Sequence, residues 1–223
     1  MRRVCFASGT SIRGWMLSPR LTLLQRRAAA YWLRRLPAPF SQLLPRLKVA
    51  VADRLLLVGE HLFIDQPPSS GVPGRAFRQT HAASFLPERY IVLHASLFRK
   101  RVELGRILYH ELCHFLWPRL GNPRRALFAA LLQKEIEQGM GGELGYSSEW
   151  RKEALLARKQ TGVRIVPRKW REYACESFCD TGAYVLLGEE RRGRHSEFTL
   201  NKKARNRRAR LWWRIVLGQP AGR

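Results

Sequence analysis

Two periods of apolar and polar positions run along this 223-residue chain, and they predict which segments are helix and which are strand. Residues 21–36 place Leu21, Leu24, Ala28, Tyr31 and Trp32 at helical spacing, and Pro37 ends the run. A second helix is predicted over roughly 41–57. The stretch DQPPSSGVPG, 65–74, is too rich in turn residues to be anything but a loop. Beyond it, β-branched and aromatic residues mark 90–94 as a strand, and two or three strands of a small sheet are expected between 55 and 98. From 102 to 117 the period is helical again, with Leu104, Leu108, Leu112 and Phe115 on one stripe before Pro118. Asn122 as N-cap, Pro123 behind it and Gly139 past the end predict another helix. Residues 148–160 and 170–187 predict two more, the last stopped by Gly188. The expected class is α+β, mostly helical, with a small mixed sheet. No internal repeat and no interior boundary is visible. Residues 1–19 read as a basic leader, open to disorder. Residues 20–223 read as one domain with a basic C-terminal segment, about 189–223.

Charge adds a partner question. The chain has 33 Arg and 8 Lys against 17 Asp and Glu, a formal charge of +24. Such a balance suits nucleic acid, an anionic surface or an acidic substrate, and it also arises from a compositional bias towards Arg. The start MRRVCFASGTSIRGW is too polar in its middle for a signal peptide, and no apolar run reaches the ~18 residues of a membrane span. Cys5, Cys113, Cys175 and Cys179 form no zinc-ribbon pair and no secreted disulfide framework. Reduced thiols and a cytoplasmic location are the expectation.

Candidate chemistry centres on His110-Glu111-Leu112-Cys113-His114. Two imidazoles at i and i+4 share one helix face and can reach a single Zn²⁺. Glu111, next to the first of them, is placed to act as general base. The motif lies within an apolar helix, where two His and a Glu would be costly to bury without a role. Cys113 inside the motif is read as packing. A catalytic zinc site asks for a third protein ligand and one open position. Glu172, Glu176 and Asp180 follow at i, i+4 and i+8 in REYACESFCDTGAY, so three carboxylates line one helix face and a cation among them would relieve their repulsion.

HELCH followed on a later helix by Glu176 and Asp180 resembles the gluzincin metallopeptidases, the thermolysin-like clan, over some 14 residues in two short motifs. The resemblance implies a zincin-like fold with its sheet packed on the HELCH helix. It implies one zinc ion on His110, His114 and Glu176, Glu111 as general base, and Asp180 as a partner orienting a ligand His. It implies peptide-bond hydrolysis of a peptide or protein substrate. It also implies that the strand Tyr90, Ile91, Val92, Leu93 and His94 lies at the sheet edge and pairs with extended substrate. Sixty-one residues separate His114 from Glu176, far more than in thermolysin itself, so Glu172 and then Cys179 stay open as third ligand. Tyr173, Tyr146, Tyr184 and His195 are candidates for stabilising the oxyanion.

Two other readings compete. HELCHFLW also resembles the motif of SprT-like proteases, which pair such a site with basic surfaces. Those proteases place a third His about one helix further on, whereas the next His here is His195. The segment KKARNRRARLWWRIVLG, 202–218, joins a basic run to Trp212 and Trp213 and suits nucleic-acid binding by a protein with a non-catalytic metal site. It suits equally a terminal helix docking its Trp pair on the core.

Overall fold

The computed structural model describes residues 10–12, 14–58, 61–66, 77–161, 166–188 and 196–218. They fall into two compact units, Met1–Glu111 and Leu112–Arg223, and one continuous helix carries the chain from the first into the second.

The first unit is mixed. In chain order it holds β1 (Thr10–Ile12), β2 (Trp15–Leu17), α1 (Leu23–Arg34), α2 (Ala38–Leu43), β3 (Lys48–Ala52), β4 (Leu55–Val58), β5 (His61–Ile64), β6 (Arg78–Gln79), β7 (Ala82–Phe85) and β8 (Tyr90–His94). The larger sheet has the order β1-β2-β3-β8-β7, with β2, β3 and β8 parallel and the two outer strands antiparallel to their neighbours. A smaller antiparallel sheet has the order β5-β4-β6. The class is thus α+β with a small mixed sheet, as the periodicity implies.

Three expectations about this half are corrected. The helix predicted over 41–57 is only the six residues of α2. Leu44 is already extended (φ −89°, ψ 147°), because the ring of Pro45 crowds the residue before it out of the helical region. Lys48–Ala52 then runs as a central parallel strand, largely buried, which explains why it lacks the alternation of a half-exposed one. Part of the stretch read as a leader is sheet: β1 and β2 form a hairpin, β2 pairs with β3, and Trp15 and Leu17 are core. Three-residue strands are too short to leave a period. Among the described residues between 55 and 98 there are five strands, not two or three. Residues 67–74 of the predicted loop lie outside the described ones.

Helix α3 (Arg101–Leu116) follows β8 after a 3-10 turn, Ala95–Arg99. Its first turns lock onto α1. Trp32 Nε1 donates to the carbonyl of Arg101 at 3.0 Å, and the Tyr109 hydroxyl donates to the carbonyl of Trp32 at 2.9 Å. Gly105 is required there, because a Cβ would lie 2.5 Å from the Trp32 ring.

The second unit is helical: the end of α3, a 3-10 turn (Trp117–Leu120), α4 (Gly121–Glu137), α5 (Tyr146–Gln160), α6 (Pro167–Leu187) and α7 (Lys202–Leu217). Helix α4 starts directly from the 3-10 turn, so Asn122 lies inside it and its Oδ1 accepts from Arg125 instead of capping. Helix α6 is the axis of this unit. Phe178 meets Phe128 edge-on at 5.4 Å and stacks on Trp212 at 5.7 Å. A Cβ on Gly182 would strike Cys113 Sγ and Trp212, so glycine sets how closely α6 approaches them.

Helix α7 is not a free basic arm. Trp212 is fully buried, and so is Arg208. The Arg208 guanidinium donates to Glu135 of α4, to both oxygens of Glu143, and to Ser177 of α6. Glu143 also accepts from Tyr173 and faces Lys152 at 3.3 Å. Burial alone would raise the Glu143 carboxyl; the Arg208 charge and hydrogen bonds, with Lys152 and Tyr173, overcome that and lower it to about 2. A folded-state value below the unfolded one stabilises the protein above pH ~4.5, and the stabilisation is lost as pH falls towards 2. Glu143→Gln should therefore cost about 3–5 kcal/mol at pH 7, because it leaves buried cations with one partner fewer. In urea denaturation the gap between Glu143→Gln and the native chain should narrow as the pH falls from 4.5. A gap independent of pH would mean that the carboxylate charge is not what holds α7 in place.

Candidate metal centre

Leu104, Leu108, Leu112 and Phe115 are all buried on one stripe of α3, as the periodicity predicts. His110 and His114 share another side, since i and i+4 superpose after one turn, and Glu111 falls between that side and the stripe. Glu176 comes from α6. Ligand atoms of His110, His114 and Glu176 all lie within 4.8 Å of one another. His114 Nε2 and Glu176 Oε2 are 3.9 Å apart, too far for a hydrogen bond. Two donors that bind one tetrahedral ion at ~2.0–2.1 Å lie about 3.4 Å apart, so a shared metal would draw this pair together by about half an ångström. The side chains of His114 and Glu176 are 19% and 15% exposed, so the centre has a face open to solvent.

Arg151 of α5 holds the other side of the carboxylate, 3.2 Å from Glu176 Oε1. This anchors one oxygen and leaves Oε2 turned towards the imidazole. Arg151 carried no signal in the sequence: it is one of 33 arginines, and only the packing of α5 on α6 brings it here.

Glu111 is buried. Ser84 of β7 donates its hydroxyl proton to Glu111 Oε2 at 2.5 Å, with the Glu111 carbonyl also in reach at 3.1 Å. Ser84 was not anticipated either. The sheet edge is reassigned with it. Strand β8, Tyr90, Ile91, Val92, Leu93 and His94, is paired on both sides, to β3 and to β7, and has no free edge for a peptide. The outer strand on this side of the sheet is β7, whose three small residues Ala82, Ala83 and Ser84 gave a weak strand signal.

The three carboxylates of α6 diverge. Glu172 pairs within its own helix with Arg168 at 2.9 Å and Lys169 at 3.0 Å. Partial burial pushes its carboxyl up, but Lys169 foremost, with Arg168 and Arg151, brings it below the ordinary value. It joins no metal-ligand group among the described residues. Asp180 is buried and accepts from Ser148 N–H at 3.1 Å and Ser148 Oγ at 2.7 Å, which ties down the start of α5. Gly145 sits so close that a Cβ would meet the Asp180 carboxyl. The mutual repulsion read from the i, i+4, i+8 spacing is thus relieved group by group.

Beside His114 Nδ1 lies Cys175, whose Sγ is 3.7 Å away. Its thiol is lowered to about 6, chiefly by a hydrogen bond with Cys179 and further by His114, against burial that raises it. Burial pushes the Cys179 and Cys113 thiols well up.

Of the oxyanion candidates, Tyr173 is committed to the core: its hydroxyl donates to Glu143 Oε1 at 2.6 Å. Tyr184 is buried edge-on against Phe198, 5.1 Å between centroids. Tyr146 is exposed at the start of α5, and His195 lies outside the described residues. No helix among the described residues is long and apolar enough to cross a membrane. Compared with protein families, curated proteins and solved structures, the chain matches none.

Proposed function

We propose that this chain is a zinc-dependent peptidase of zincin type, with His110, His114 and Glu176 holding the ion and Glu111 acting as general base. The observation that carries the reading is the convergence of those three ligand atoms within 4.8 Å beside a buried glutamate. When bound, zinc would supply Lewis acidity and bring a water's pKa towards ~7.

The chain's own residues provide the rest. Ser84 fixes one Glu111 oxygen, which leaves Oε1 as the proton acceptor and sets its direction. Glu111 can then return the proton to the leaving amine. Arg151 keeps Glu176 in one orientation and brings a cation beside the centre that could favour negative charge developing on the substrate carbonyl oxygen. An extended substrate would add to the outer edge of β7, which lies beside the base through Ser84. The third ligand on α6, the base on α3 and an antiparallel edge strand are the features that support a zincin-like arrangement.

Glu111→Gln should retain one zinc per chain and lose at least about 100-fold in hydrolysis of an unfolded casein substrate, the usual scale for removing a general base. Full activity in that variant would rule out the assigned base. Glu176→Ala, checked for native circular dichroism, should lose most of its zinc on dialysis against a weak chelator, as read by mass spectrometry of the metal. Unchanged stoichiometry would place the third ligand elsewhere.

A nucleic-acid-associated form of the same enzyme is supported by one observation. Lys203, Arg210 and Arg214 are exposed on α7, spaced seven and four residues apart and so along one face. Trp212 is in the core and unavailable for base stacking, so the contact would be to phosphates. Binding of single-stranded DNA, followed by fluorescence anisotropy, should weaken steeply between 50 and 200 mM salt, conditions that separate phosphate contacts from base readout. Binding insensitive to salt would exclude this partner.

A further inference from the structure

His114 presents two different edges to two different groups of donors. Its Nε2 faces the carboxylate of Glu176 at 3.9 Å, and its Nδ1 faces the sulfur of Cys175 at 3.7 Å. The donors on the sulfur side converge too: ligand atoms of His114, Cys175 and Cys179 lie within 4.8 Å of one another. We infer that α3 and α6 carry a second, overlapping metal site, formed by His114, Cys175 and Cys179, that takes a thiophilic ion of the Cd²⁺ or Cu⁺ kind.

The helix supplies the geometry. Cys175 and Cys179 are one turn apart on α6, so their sulfurs stack on one face, as the two imidazoles do on α3. Donors at ~2.0–2.3 Å around one tetrahedral ion lie about 3.3–3.8 Å apart, and the Cys175–His114 pair at 3.7 Å falls within that range. Both thiols are free, Cys179 is fully buried and Cys175 is partly exposed, which gives the site a dry floor and one side for entry. Two sulfurs and one imidazole are a soft donor set, whereas two imidazoles and a carboxylate are a borderline-to-hard one. A bound ion holds both sulfurs as thiolates, any remaining thiol proton going to solvent, and a divalent ion on two thiolates leaves no net charge on the buried floor. A neutral imidazole has a lone pair on only one nitrogen, so His114 serves one set at a time. Occupancy of the sulfur side therefore excludes the carboxylate side. The inference needs no hydrolytic activity.

The test uses the reduced full-length chain titrated with Cd²⁺, followed by the sulfur-to-cadmium charge-transfer absorption in the ultraviolet. The band should grow to one equivalent. It should persist in Glu176→Ala, which removes a ligand of the other set. It should vanish in the double variant Cys175→Ser, Cys179→Ser, which should still bind one Zn²⁺ per chain. Absence of the band in the native chain overturns the proposal whatever the variants do. A full band in the double serine variant assigns the sulfur to Cys5 or Cys113 and overturns it too. Loss of the band in Glu176→Ala, or loss of zinc along with the band in the serine variant, means one mixed site in place of two.

Discussion

A guanidinium placed where no water reaches it must be surrounded, and much of the second unit is organised around that demand. Arg208 draws Glu135 from α4, Glu143 from the chain before α5, and Ser177 from α6. Ser177 is the residue next to Glu176. The network that satisfies a buried charge therefore also fixes the turn of α6 that presents the candidate ligand. Such a network adds little net stability over an apolar core of the same shape, because desolvation opposes the attraction. Its effect is on register: an α6 rotated by one residue would take Ser177 away from Arg208 and Tyr173 away from Glu143, leaving buried polar groups one partner short at a cost of about 1–3 kcal/mol each.

The same packing explains how a carboxylate is positioned in a chain of charge +24. Carboxylates here are outnumbered and attract arginines readily. Glu172 has been taken up by Arg168 and Lys169. Glu176 is engaged by Arg151 through one oxygen, with the other directed at His114. What separates the two is position on the helix. Glu172 is near the start of α6, within reach of the basic residues of its first turn, and Glu176 is a turn further in, among Ala174, Ser177 and Phe178.

How much of this was legible depends on whether the cause was local. The stripe on α3, the motif on its other face and the end of α6 at Gly188 are local consequences of side-chain period and backbone preference, and they could be read. Pro45 was equally readable: it bars a helix over 41–57, and its effect on Leu44 is a backbone rule that the apolar run obscured. The roles of Arg208, Arg151 and Ser84 were not readable, because each depends on a partner 25 to 73 residues away. In a run such as KKARNRRAR nothing in the composition separates the one buried arginine from its solvated neighbours. The bonds from Ser148 to Asp180 were unreadable in the same way, since 32 residues separate the two.

Ser84 has one hydroxyl proton and two oxygens of Glu111 within reach, a carboxylate oxygen at 2.5 Å and the backbone carbonyl at 3.1 Å. While Glu111 is ionised, the carboxylate is the stronger acceptor and holds that proton. The one hydroxyl thus serves as a clasp with two points of attachment, side chain and backbone, on the same helix residue. Because Ser84 belongs to an edge strand of the sheet, that clasp ties the position of a helix carboxylate to the local backbone of the strand through a single side chain.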